Sequence, residues 1–380
     1  MKQAYLFIFF TAAAVASFTV IDNVFFLDAG YTLAFIGLMV AVFNVSVTVS
    51  ELPFAIFFDR FSNKRAIQIG NLIRLAALSL FFLNLGHVEL LVAQVLAGVA
   101  VAASSGTSQA LVVNAIQSSN AKDIARAFGN ITYVSAAGGM LGGVLGGFLY
   151  GWNPSSIWLV SMAFMMGAAI SIFFFKDVRA EGARIPLGDY LRGLSGVVRR
   201  QTFWILVVSN GAAVAPVLLW QVKFNATSLT FTIVGFLLMN LGSLLAPLVA
   251  RLARIEPRHV AAVAAVNLLA ASLFALAPPG WMTMTTFPVH VIMQNLLVIM
   301  ASALYHAEVP NGLRGAAGSV VSLFDSLVVA VVAPIVALVA THFGIAWGTF
   351  ISSVLYLIIA GWTSLPAFRR RIISTTQALT

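Results

Sequence analysis

The chain has 380 residues, 61% of them hydrophobic and 9% charged, with a mean hydropathy of +0.99. A soluble domain uses roughly 45–50% apolar residues, so this composition excludes a water-soluble globule and implies a protein whose surface meets lipid. The absence of Cys excludes disulfides, thiolate metal sites and cysteine nucleophiles, and the net charge of +9 must be read from where the charges lie. Thirty Phe and 29 Gly fit a lipid-facing surface with closely packed helices beneath it.

Apolar runs of about 20 residues bounded by polar turns give twelve candidate spans. They cover residues 4–27, 33–58, 66–86, 88–116, 126–150, 155–175, 203–224, 228–250, 259–277, 281–305, 317–341 and 345–366. The first run begins like a signal peptide, with Lys2 ahead of AAAVAS, yet it stays apolar and feeds at once into a second span, which reads as a retained helix. With the N-terminus in the cytoplasm, all but two of the 21 basic residues fall on inside segments, Arg74 and Lys223 excepted. That asymmetry places both termini inside, in the inner (plasma) membrane of the cell. The basic balance is therefore topological and predicts no nucleic-acid partner.

The long segment from Lys176 to Gln201 separates six spans from six. Leu187, Leu191, Leu194 and Val198 recur in it at helical spacing with Arg192, Arg199 and Arg200 interleaved, which suits a helix at the cytoplasmic interface or a plain tether. The expected architecture is all-α and membrane-integral: an N-terminal six-helix bundle over 1–175, a linker over 176–202 and a C-terminal six-helix bundle over 203–380.

Three stretches carry a resemblance. ELPFAIFFDRFSNKR, Glu51 to Arg65, ends span 2 and turns into span 3. The pattern is similar to the major facilitator superfamily signature G-x-L-a-D-R-x-G-R-[RK]: Asp59, Arg60 and Lys64 match, while Ala55 and Ser62 replace the glycines, Phe57 the leucine and Asn63 an arginine. In span 5, GGMLGGVLGG places Gly138, Gly142, Gly146 and Gly147 on every glycine of the family's exporter-associated G-x-x-x-G-P-x-x-G-G, with Gly143 for the proline. Span 4 keeps Leu90 and Gly98 of l-x-x-x-R-x-x-q-G, but Gln94 stands where the family has an arginine linked to proton transfer.

The resemblance implies two bundles rocking about a midplane site, with spans 1, 4, 7 and 10 lining the cavity. It places Asp59 by the start of span 11 in the outward-open form, where a carboxylate meets unpaired N–H groups. Arg60, Lys64 and Arg65 would hold the turn. A merely solvated charge turn is the alternative for the first motif, and an ordinary small-residue packing face for the glycines, which at i, i+4 and i+8 form one flat helix surface.

Charges inside the bilayer cost about 3 kcal/mol or more unless paired or wet, and mark candidate functional groups. Glu51 and Arg74 lie at similar depth on spans 2 and 3 and are expected to form an intramembrane pair. Asp22 sits near the end of span 1 on a face with Thr11, Val15 and Thr19, in a span without a basic residue. It suits a proton carrier or a cation binder, or a solvated vestibule acid. Asp325 in span 11, among Ser319, Ser322 and Ser326, reads as a second protonation site or as a partner of Arg74. His290 and Gln294 share a face of span 10, as substrate or proton groups or as structural hydrogen-bonding groups. Gln94, Asn210, Trp220 and Gln221 add neutral polar lining suited to amphipathic organic molecules.

No Walker motif, H-E-x-x-H, G-x-S-x-G or metal-spaced His cluster occurs. The expectation is a transporter and not an enzyme, without cofactor or metal. It would be a drug/H+ antiporter type exporter, acting as a monomer on a small organic substrate in exchange for protons across the lipid bilayer. The alternatives are a proton-independent facilitator or importer of a metabolite, and a non-transporting sensor built on the same fold.

Overall fold

In hydrocarbon each backbone N–H and C=O must find a partner inside its own segment, so long apolar runs fold as helices. The structure is a computed structural model and describes residues 2–58, 63–104, 121–175, 198–253, 256–309 and 314–366, with Gly196 and Phe368. Among the described residues the regular structure is helical throughout. Eleven segments are long and apolar enough to cross a membrane, and the shorter apolar helix Val260–Leu276 stands in the remaining position of the series.

The chain divides into two compact units, Met1–Tyr31 with Leu38–Gly182, and Thr32–Gly37 with Ala183–Thr380. The first holds α1 (Lys2–Thr19), α2 (Asp22–Asp28), most of α3 (Leu33–Phe58), α4 (Asn63–Leu83), α5 (His87–Ser104), α6 (Ala121–Tyr150) and α7 (Ser156–Phe173). The second holds α8 (Gln201–Ala212), α9 (Val214–Asn225), α10 (Leu229–Leu252), α11 (Val260–Leu276), α12 (Trp281–Glu308), α13 (Arg314–Phe343) and α14 (Ile345–Ser364).

In the first unit α1 packs against α6 and α7, and α4 against α5 and α7. The glycine stripe of α6 determines the first of these packings. A Cβ on Gly138, Gly142 or Gly146 would strike the backbone of Phe9, Ala13 or Ser17 respectively, so the two helices meet backbone to backbone at matching four-residue steps. Gly147 is buried beside this stripe. Gly98 of α5 serves the same purpose against α3, where a Cβ would come within 2.6 Å of the Phe43 carbonyl oxygen. Between α4 and α5 the chain reverses in three residues: Asn84 takes a φ of 46° and Gly86 a φ of 153°, and the Leu85 N–H donates to Glu89 Oε2 at 2.7 Å.

The second unit centres on α8, which packs against α12, α13 and α14. Phe203, Leu206, Leu296, Leu304 and Tyr305 form part of its buried core.

Each unit also contains a lysine that closes a helix C-terminus, where carbonyls lack intrahelical donors and cations are favoured. Lys64 Nζ donates to the Phe173 and Phe175 carbonyls at 2.7 and 2.8 Å at the end of α7. Lys223 Nζ donates to the carbonyls of Phe274 and Ala275 at the end of α11. Lys64 therefore ties the start of α4 to a second helix. Asp59 and Arg60, its partners in the first motif, lie outside the described residues, as does most of the 176–202 linker.

Candidate functional site

Spans 1 and 7, each read from the sequence as one helix, are both interrupted. In span 7 the cause is Pro216. Proline has no N–H, so the Ala212 carbonyl four residues earlier loses its helical donor, and Ser352 Oγ of α14 donates to it instead. The Ala213 N–H turns back to the Asn210 carbonyl at 3.1 Å. This leaves the Ser209 carbonyl to a side chain, Gln294 Nε2 of α12, at 2.8 Å. The helix resumes as α9, with the Val217 N–H donating to the Ala213 carbonyl.

From that freed carbonyl the hydrogen-bond directions in the buried cluster follow one by one. A carbonyl only accepts, so Gln294 presents its NH2 to Ser209 and its Oε1 to the other side. There Oε1 accepts from Tyr356 Oη at 2.7 Å and from Asn267 Nδ2 at 3.3 Å. Asn267 must then turn its Oδ1 to His290, whose Nδ1 lies 2.8 Å away. The His290 Nδ1 therefore carries the hydrogen, which leaves Nε2 as the nitrogen with the free lone pair when the ring is neutral. Ser209, Asn267, His290, Gln294 and Tyr356 are all buried. A buried polar set of this kind is stable only when its members are satisfied.

One residue along α8, Asn210 points to a different neighbour. Its Nδ2 donates to Asp325 Oδ2 of α13 at 2.7 Å, while Asp325 Oδ1 is buried and has no hydrogen-bond partner among the described residues. Close approach of the two helices here depends on Gly211, where a Cβ would lie 2.6 Å from Val328 Cγ1. Among the helices of the second unit packed on α13, α8 and α14 carry no charged residue, and α9 carries Lys223 alone, whose ammonium is held by α11. An incompletely satisfied carboxyl beside a helix interruption has an oxygen free to take a proton or to accept from a donor on a bound molecule.

The interruption of span 1 falls at Val20 and Ile21, between α1 and α2. There is no proline here, and Asp22 opens α2, with Oδ1 accepting the Asn23 N–H at 3.0 Å. Asp22 is half-buried and is not without further partners. Two hydroxyls, Ser17 Oγ and Ser161 Oγ of α7, donate to the Ala14 carbonyl at 2.8 and 2.7 Å. Beside this interruption Trp158 stacks on Phe18 and Phe81. In the second unit Trp220 stacks on Phe287.

The structure thus brings His290 and Gln294 into one cluster and gives Asp325 a partner in Asn210. Gln94 is half-buried on α5. Among the described residues no hydrogen bond or ion pair joins Arg74 to Glu51, and Glu51 is not without partners of its own. Equal depth on two helices fixes height but not direction, and Arg74 points away from the lipid side of a helix packed on α5 and α7. Asn267, Tyr356, Ser209 and Ser352 escaped the sequence reading, because single polar residues in apolar runs carry no periodic signal. Asn267, alone in VAAVAAVNLLAAS, was the most legible of them.

The chain matches the Major Facilitator Superfamily over residues 4–305 and belongs to that family. No curated protein matches it. Among solved structures it is similar to a mutant form of the nucleoside transporter NupG, at 13% identity and a TM-score of 0.75, covering 98% of this chain and 99% of that one. A POT family transporter in complex with a thioalcohol-conjugated peptide aligns at 10% identity and 0.77, over 98% and 96%. The human organic anion transporter MFSD10 aligns at 14% and 0.65, over 95% and 97%. At such identities the likeness establishes a transporter fold and says nothing of what is carried.

Proposed function

We propose that the chain is a proton-coupled secondary transporter of amphipathic organic molecules, exporting them by alternating access, with Asp325 as the group that takes up and releases the proton. The observation that carries this reading is the buried Asp325 Oδ1 without a partner, on a carboxyl whose other oxygen is held by Asn210 at the interrupted span. A carboxyl fixed at one oxygen and open at the other can change protonation without losing its place. The His290–Asn267–Gln294–Ser209 chain fixes the tautomer of the neutral His290 ring, with Nδ1 bonded to Asn267.

Interruptions of the first helix in both units fit transporter folds in which discontinuous membrane helices mark the transport site. Asp22, at the other interruption, is the second candidate for coupling or for recognition of a cationic group. Export rests on the glycine pattern of α6. Two six-helix bundles with both termini cytoplasmic, in the inner membrane, complete the proposal.

The test uses protein reconstituted in liposomes under an imposed pH gradient, with solutes selected because they raise the thermal stability of the purified protein. Asp325→Asn is expected to abolish gradient-driven accumulation and to leave downhill exchange intact. If gradient-driven accumulation in Asp325→Asn equals wild type while Asp22→Asn loses it, coupling belongs to the first unit. If neither changes it, the transporter is not coupled through these acids.

A further inference from the structure

Among the intramembrane charges of the first unit, Arg74 is the one whose expected partner is not on it. It lies near the midpoint of the Lys64–Leu83 span, eleven residues and roughly 16 Å from the start of α4 at about 1.5 Å per residue. Within its unit, among the described residues, it makes no hydrogen bond or ion pair.

Its direction can be read from the helix. The exposed positions of α4 are Arg65, Ile69, Leu72, Ala76, Ser79 and Leu83, one stripe at helical spacing and therefore the lipid side. Two residues beyond Leu72, at about 100° per residue, Arg74 points to the opposite side of the helix. It is half-buried there. Intramembrane charges that face inward line a substrate or ion path unless another group neutralises them.

A second donor lies one turn earlier on the same inward side. Asn71 is 3% exposed, and its Nδ2 is buried with no acceptor among the described residues. An amide NH2 buried without a partner is rarely tolerated. It is explained here if an acceptor arrives from outside the protein. Arg74 offers a planar fork of donors suited to a carboxylate, and Asn71 adds a neutral one. On α5, which packs against α4, the acid is Glu89, whose Oε2 already accepts from Leu85. The other packed helix, α7, carries no charged residue.

We propose that Arg74 and Asn71 form a recognition site for an anionic oxygen group, the carboxylate end of the amphipathic molecule that the protein carries. The site deepens the transport reading by assigning a charge to the substrate. Transport of the bound molecule rests on that reading, whereas its binding is measurable without flux. The same chemistry could be met by the headgroup of an anionic lipid, although Arg74 lies deeper than a headgroup reaches.

The experiment measures thermal stabilisation of the purified full chain in a neutral detergent by three probes with one ring system: naphthoate, naphthylmethylamine and naphthalenemethanol. Naphthoate is expected to stabilise the wild type most. Arg74→Gln should weaken its apparent affinity by at least about tenfold, a loss of roughly 1.4 kcal/mol, with Arg74→Lys partly restoring it and Asn71→Ala giving a smaller loss. Should Arg74→Gln fail to fold, mass spectrometry of wild type treated with the arginine reagent phenylglyoxal decides: Arg74 is expected to be modified, and protected by naphthoate.

No preference for naphthoate, equal affinity in Arg74→Gln, or an Arg74 that phenylglyoxal does not reach would each overturn the site. Arg74-dependent stabilisation by phosphatidylglycerol in place of naphthoate would overturn it as a substrate site. Arg74-dependent naphthoate binding without any proton-driven flux would leave the site standing and remove the transport reading. Proton-driven flux of carboxylates unchanged by Arg74→Gln would do the reverse.

Discussion

The two units handle the same problem, an interrupted first span, in different ways. In the first, α1 is held by backbone contact along the glycine stripe of α6, and the Ala14 carbonyl, inside α1 and six residues before the break, takes two hydroxyls, from Ser17 and Ser161. In the second, the carbonyls freed by Pro216 are each taken by one side chain, Ser352 at Ala212 and Gln294 at Ser209. The first unit therefore depends on shape and carries a spare hydrogen bond, whereas the second depends on a polar cluster with no redundancy. The difference teaches where chemistry can sit: a carboxyl with an open oxygen, Asp325, adjoins the second interruption, and the span 1 acid, Asp22, already receives the Asn23 N–H.

This comparison can be broken most severely at the glycines. Gly142→Leu should drive a side chain into the Ala13 backbone and cost about 3 kcal/mol or more of overpacking, abolishing monodisperse protein on size exclusion. Gly129→Leu, on the same helix but with nothing within 4 Å of its Cβ position, should behave as wild type. Equal behaviour of the two variants would mean that α1 is not packed as described.

Next in size is the polar cluster. Gln294→Leu removes the donor to Ser209 and the acceptor for Asn267 and Tyr356. Leaving such groups unsatisfied costs about 1–3 kcal/mol each, so a clear fall in apparent melting temperature is expected. Gln294→Glu should be nearly as harmful, because a carboxylate cannot donate to the Ser209 carbonyl. A stable Gln294→Leu protein would show that the cluster is not closed.

The smallest effect sharpens the contrast. Ser352→Ala strands the Ala212 carbonyl, which Pro216 cannot serve, and should destabilise by about 1–2 kcal/mol. Ser161→Ala leaves Ser17 on the Ala14 carbonyl and should cost less than half of that. Equal losses would erase the claimed redundancy of the first unit.

Much of this was legible from apolar run length. The series of spans and the long break after residue 175 follow from hydropathy, because lipid forces each run into a helix. The same uniformity concealed the interruptions. Pro216 lies inside an apolar run where a kink is a common outcome, and span 1 contains no proline to announce its break. Asp325, His290 and Gln294 stand out as polar residues at membrane depth, and the i, i+4 spacing of the last two puts them on one helix face. The sequence places Glu51 and Arg74 at one height, but it leaves their directions to packing. Lys64 reads from the sequence as part of a turn, yet the carbonyls it serves lie more than 100 residues away, at Phe173 and Phe175.

The central claim is that a proton moves with the solute through Asp325. It is tested most directly by a pH-sensitive dye trapped in liposomes containing the protein, with a stabilising solute added outside and no gradient imposed. The account predicts a solute-dependent pH change in the lumen for wild type and none for Asp325→Asn, although both exchange labelled solute. Solute exchange with an identical lumenal pH change in the two proteins would contradict it.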